Sequence, residues 1–182
     1  DFSYYSNKLK EYKFNVNSEL LRPYFELSRV LNAVFNLSTR LYGISFVRNR
    51  DLPVYHEDVE AYEVYDEDGT FLALLYCDFY SRPSKKPGAW MTMFKEQWTD
   101  DEMCDSRPHV SIVMNFAKPT SEIPSLLSLE EVETLLHEFG HSLHAMFSKV
   151  KYRSLSCTNV LWDFVELPSQ IMENYSVEPD FL

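Results

Sequence analysis

Residues 128–147 read SLEEVETLLHEFGHSLHAMF. Ser128, with Glu131 three residues on, makes a capping box, the signature of a helix start. Val132, Leu135, Leu136, Phe139, Leu143 and Phe147 then recur at helical intervals and mark one apolar face. The pattern predicts a helix from about Leu129 to about Lys149. Its centre is His137-Glu138-Phe139-Gly140-His141. Histidines at i and i+4 share one helix face, about one turn apart. Both ring nitrogens can reach a single zinc ion at about 2.0–2.1 Å. Glu138 is rotated by about 100° from His137. It is poorly placed as a further ligand, but it can take a proton from a water that attacks a carbonyl. The plain alternative is the polar face of a surface helix. Against it, Leu135, Leu136 and Phe139 bury the helix on most sides, where two histidines and a glutamate without a metal would be costly.

A catalytic zinc site takes at least one more protein ligand and keeps a position open. Residues 162–170, WDFVELPSQ, lie close downstream. On composition alone Asp163, Glu166 and Glu173 are rivals for the third place. A last helix is predicted from near Asp163 to about Tyr175, with Pro168 drawing its start later. On it Asp163, Glu166 and Gln170 share a face, so one could ligate while another orients a histidine.

Further out, Leu20-Leu21, Tyr24-Phe25, Leu27, Val30-Leu31, Val34-Phe35 and Leu41-Tyr42 keep a helical period, with Gly43 as the stop. Residues 59–65 alternate apolar and acidic side chains over most of their length, the period of a half-exposed strand. Asp68-Gly69 signals a hairpin turn into a second strand from Phe71 to Phe79. The acidic residues from Glu57 to Asp68 lack the spacing of a calcium loop and read as a solvated hairpin. Residues 81–88 are a loop, and the stretch to Pro108 is aromatic and irregular. Val110 to Phe116 is a strand, expected at the sheet edge facing the cleft, where an extended peptide could add to it.

The 182 residues suffice for one domain or a piece of a larger protein. Apolar residues at 45% exclude general disorder. The net charge of −11 and pI near 4.9 argue against a nucleic acid or an anionic membrane as partner. No apolar run is long enough for a transmembrane helix. Cys77, Cys104 and Cys157 are odd in number, with no paired spacing, and read as reduced thiols of a cytoplasmic protein. A Ser142-His109-Asp163 triad finds no nucleophile elbow. Tyr152 reads as packing, and His56 and His109 as ordinary surface or loop residues. Oligomeric state leaves no trace in the sequence.

HEFGHSLH at 137–144, followed by DFVELPSQIME at 163–173, resembles the thimet oligopeptidase family, which includes oligopeptidase A and the bacterial peptidyl-dipeptidases. LYCDFYSR at 75–82 resembles the strand and loop ahead of that family's active site, and residues 110–119 its substrate-side strand. The resemblance spans about Tyr62 to Glu178. It implies His137, His141 and Glu166 as ligands of one zinc ion, Glu138 as general base, and His144 as a non-ligand. It implies an α+β, zincin-like catalytic core, mainly helical with a small, mostly antiparallel sheet. The activity implied is cleavage of internal bonds in short peptides, or release of C-terminal dipeptides by a peptidyl-dipeptidase. Family members are several hundred residues long and bind substrate with a histidine and tyrosines far downstream of the third ligand. The expectation is therefore that residues 1–182 are a partial catalytic domain, lacking the N-terminal helical domain and the C-terminal substrate-binding part, with weak activity or none alone. A reading of another class is a non-catalytic zinc-binding fragment or interaction domain. Glu138 argues against it, because a structural zinc site needs no base.

Overall fold

The computed structural model describes residues 2–14, 18–102, 104–179 and 181. Asp1 and Leu182, which mark the ends of the chain, and Met103 in the irregular stretch lie outside the described residues. Helix α1 spans Phe2–Phe14. The helical period expected from Leu20 onward is broken at first. Residues 18–24 form two short 3₁₀ turns, the second containing Pro23, and Glu26 bridges to Leu126. Helix α2, Leu27–Tyr42, then buries Leu27, Val30, Leu31 and Val34. It stops at Gly43, whose φ of 74° is a left-handed cap that favours glycine.

Seven strands follow: β1 Ser45–Arg48, β2 Glu60–Tyr65, β3 Phe71–Tyr80, β4 Trp90–Lys95, β5 Trp98–Thr99, β6 Asp105–Ser106 and β7 His109–Phe116. Five of them form one mixed sheet in the order β1-β2-β3-β7-β4. Among the described residues only the β3–β7 pairing is parallel. The Asp66–Thr70 turn joins β2 to β3, with Gly69 at φ 82°. Three expectations need correction here. The stretch after residue 88 contains β4, in which Trp90 to Met93 are half-buried and Phe94 is exposed. Because β4 pairs outside β7, residues 110–116 are interior, and the edge on that side is β4. His109 accordingly opens a strand rather than a loop.

Helices α3 Leu129–Met146, α4 Trp162–Val165 and α5 Leu167–Glu173 complete the fold, which is α+β. The main core lies between the sheet and α2 and α3, around Leu75, Ile112, Met114, Leu135, Leu136 and Phe139. Phe139 meets Phe35 and Phe46, whose rings stack at 4.0 Å. On the other sheet face Leu74 and Tyr76 pack under Val59. There Asp78, only 1% exposed, is held by Arg82 at 2.7 Å, Lys85 at 2.9 Å and the Tyr55 hydroxyl at 3.0 Å. Such a charge is tolerable when buried only because it is paired and hydrogen-bonded.

The capping box of α3 is complete: the Ser128 hydroxyl accepts from the Glu131 amide and the Glu131 carboxylate accepts from the Ser128 amide. The helix ends at Met146 rather than near Lys149. The Arg107 guanidinium donates to the carbonyls of Met146 at 2.6 Å and Ser148 at 3.1 Å, satisfying groups a longer helix would have used. Its Nε also donates to the Leu72 carbonyl at 2.6 Å. The last expected helix is two. Pro168 has no N–H and its ring opposes the carbonyl four residues earlier, so the chain breaks at Glu166 and restarts. The three cysteines are free, with Cys77 and Cys157 buried and Cys104 exposed. Among the described residues no helix is long and apolar enough to cross a membrane.

Candidate metal centre

Helix α3 is pinned on its apolar side by Leu135, Leu136, Phe139 and Leu143, so its opposite face is fixed toward α5. His137 and His141 stand on that face with ring centroids 4.8 Å apart. Glu166, at the break between α4 and α5, meets both: its Oε2 lies 3.2 Å from Nε2 of His137 and 3.1 Å from Nε2 of His141. One donor atom from each of the three falls within 4.8 Å of the others. Two imidazole nitrogens and a carboxylate oxygen converging on one point suit a divalent cation, and zinc in particular.

The approach of α5 to α3 depends on Gly140. A Cβ there would sit 2.5 Å from the Pro168 carbonyl oxygen and 2.6 Å from Cα of Ser169. The buried Ser169 hydroxyl is within 2.9 Å of both the backbone carbonyl and the Oε2 of Glu166, holding that side chain over the joint. Among the sequence rivals, Asp163 is exposed and outside the cluster. Glu173 is outside it too, but its Oε1 lies 2.5 Å from Nδ1 of His137. Sequence reasoning named Glu173 as a rival ligand and missed this contact. The signal available was its position seven residues after Glu166, two helical turns on.

Glu138 is 7% exposed, on the side of α3 that faces β4. Burial pushes its carboxyl above the usual range, and His137 and the Met91 backbone amide pull it part of the way back. Burial also pushes His141 below the ordinary histidine value, against the pull of Glu166, which favours the neutral ring a metal ligand needs. Beside these residues is a cleft of roughly 410 Å³, walled by Met91 of β4, His141, Glu166 and the segment Thr158–Val160 with Trp162. His144 meets Phe164 edge to face, with ring centroids 6.0 Å apart, and burial lowers its pKa. Ser142 is fully buried and donates to the Glu138 carbonyl, so it is no nucleophile. Tyr152 is exposed and lies beyond the lining of the cleft, and His56 sits in a loop where its Nδ1 accepts from the Asp58 amide.

A helix that carries two histidines and a following glutamate thus bring together a group that could hold a metal ion. The family model of Peptidase family M3 matches residues 1–182. The chain is 45% identical over 180 residues to dipeptidyl carboxypeptidase of Escherichia coli (strain K12), which covers 98% of this chain and 26% of that protein. It is 39% identical over 183 residues to oligopeptidase A of the same organism, covering 100% and 27%. It is 32% identical over 203 residues to mitochondrial intermediate peptidase of Botryotinia fuckeliana (strain B05.10), covering 91% and 26%. The chain belongs to Peptidase family M3. It spans about a quarter of the length of the curated relatives it matches.

Proposed function

We propose that this chain is the metal-binding part of the catalytic domain of a zinc-dependent oligopeptidase with a zincin-like core. His137, His141 and Glu166 hold one zinc ion, and Glu138 is the general base. The observation that carries the reading is the convergence of both Nε2 atoms on Glu166 Oε2, with the buried Glu138 one residue from His137. When bound, zinc supplies Lewis acidity, polarising a carbonyl and acidifying water. The rest of the chemistry belongs to the chain. Glu138 accepts a proton at its carboxylate and delivers it to the leaving amine, and its burial strengthens its hold on that proton. Strand β4, whose one pairing in the sheet is with β7, leaves an edge toward the site along which an extended peptide can lie, with Met91 beside Glu138. The substrates are short peptides cut at internal bonds, and the setting is cytoplasmic, with no nucleic-acid or membrane partner. Residues 1–182 act as a partial catalytic domain, completed by the N-terminal helical and C-terminal substrate-binding parts of a longer protein, which the share of the relatives' length supports.

A second reading, release of C-terminal dipeptides, is favoured by the relative at 45% identity, a dipeptidyl carboxypeptidase. The two separate on a group that captures the free carboxylate of the substrate. The test of the shared metal chemistry is elemental analysis of the chain and of Glu166→Ala. One zinc per chain, much weakened by the substitution, is expected; a folded chain that takes up no added zinc would refute the assignment.

A further inference from the structure

The two histidines of the site are held differently. His141 Nδ1 is buried with no hydrogen-bond partner among the described residues, whereas His137 Nδ1 lies 2.5 Å from Glu173 Oε1. Glu173 ends α5, the helix that starts beside Glu166 and is seated against α3 through the Gly140 contact. Glu166 and Glu173, seven residues apart, project toward the same face of α3: one touches Nε2 of His137 and the other Nδ1 of the same ring. The His137 imidazole is thus gripped at both nitrogens by a single short helix and its leading joint.

We propose that Glu173 is a positioning residue that fixes the orientation and tautomer of His137, presenting Nε2 to the metal and accepting a hydrogen bond from Nδ1–H. The inference rests on the zinc reading above. A neutral imidazole carries its proton on one nitrogen and a lone pair on the other. A carboxylate acceptor at Nδ1 selects the tautomer with its lone pair at Nε2, the atom turned toward Glu166 and His141. It also stops rotation of the ring, so His137 is ordered before metal arrives, and it makes Nε2 more basic. His141 has no such partner here, so the ordering is concentrated on one ligand. Ser169 plays the matching part for the carboxylate ligand, with its hydroxyl 2.9 Å from Glu166 Oε2. Helix α5 therefore aims one ligand through Glu173 and steadies another through Ser169.

The test measures zinc affinity of the whole 182-residue chain by competition with a chromophoric chelator, for wild type, Glu173→Ala, Glu173→Gln and His141→Ala. Alongside it, ¹⁵N–¹H correlation spectra of the rings report which nitrogen of His137 carries the proton, a readout independent of activity and of folding stability. The expected loss for Glu173→Ala is on the order of 10- to 100-fold in affinity. Glu173→Gln keeps an acceptor oxygen at similar reach and should fall between it and wild type, guarding against a variant that merely fails to fold. The wild-type spectrum should show His137 protonated at Nδ1, with that preference lost in Glu173→Ala. Wild-type chain that is folded but takes up no zinc refutes the metal-site reading, and the role of Glu173 with it. Wild type that binds zinc, His141→Ala that does not, and Glu173→Ala that binds as tightly as wild type refute the positioning role alone. So does a His137 ring protonated at Nε2 in the wild type.

Discussion

Replacing Gly140 with alanine sets two effects of opposite sign against each other. In a helix interior alanine is favoured over glycine by about 1 kcal/mol, so an isolated α3 would gain from the change. The added Cβ would stand 2.5 Å from the Pro168 carbonyl oxygen and 2.6 Å from Ser169 Cα, where ordinary contact begins at 3.4 Å. Backbone cannot rotate out of the way as a side-chain tip can. Helix α5 must retreat by roughly 0.9 Å, the difference between 3.4 and 2.5 Å. Overpacking of this kind costs about 1–3 kcal/mol, which cancels or exceeds the helix gain. The site should suffer more than the fold. Glu166 is placed by the Pro168–Ser169 joint, and a functional constellation tolerates displacements of only about 0.5 Å. Zinc affinity should fall on the order of tenfold or more, the scale at which disturbing the supports of a metal ligand is felt. Chelator competition gives the affinity, and denaturant unfolding of the metal-free chain gives the stability. A Gly140→Ala chain that is more stable by about the helix increment and binds zinc as tightly as wild type would show that the close approach does not set the site.

Glu138→Gln should keep its zinc by elemental analysis and lose peptide hydrolysis by about 10²–10⁴-fold in a fluorogenic assay of the longer protein; unchanged turnover would remove Glu138 as the base. Burial alone would raise the Asp78 carboxyl, but Arg82, Lys85 and Tyr55 outweigh it and hold its pKa below the usual value. A depressed folded pKa stabilises at pH above the unfolded value, about 3.9, and the benefit disappears as pH falls through the folded one. Asp78→Asn should therefore lose about 3 kcal/mol or more at pH 7, with the gap from wild type closing only in acid below pH 4, as read from denaturant midpoints across pH. Arg107→Ala frees the Leu72, Met146 and Ser148 carbonyls and should lower stability by about 2–4 kcal/mol in the same assay, given the usual worth of hydrogen bonds from a charged donor.

What was legible in the sequence was what local pattern determines. The capping box and apolar period placed α3, and Asp68-Gly69 between two apolar runs placed the β2–β3 hairpin, because each is decided within a few residues. Strand β4 was not legible. Trp90, Met91, Met93 and Phe94 put apolar side chains on both faces, so the sequence shows no clean alternation, and its partner β7 lies beyond the β5–β6 excursion. For the same reason residues 110–116 read as an edge: nothing in the strand itself tells whether another pairs outside it. The juxtaposition of His137 with His141 follows from helix geometry alone, whereas that of either with Glu166 came through resemblance, composition having left three carboxylates open. Glu173 was visible as a carboxylate near the site, but its partner at His137 exists only once Gly140 lets the two helices meet. The double break at Glu166 was foreshadowed by Pro168, although its place was not.

The strand order has a consequence for assembly of the chain during synthesis. Strands β1, β2 and β3 are joined by antiparallel neighbours close in sequence and can pair as soon as they emerge. Strand β4 emerges next, yet within this sheet it pairs only with β7, made later. It has no partner until His109–Phe116 is made; the two can then pair antiparallel, before or after β7 docks in parallel against β3. Pairing across such a crossover is slow, since the loop must close before contacts reward it. The strand that flanks Glu138 thus joins the sheet only through β7, and a chain interrupted before β7 would carry it as a loose, sticky ribbon.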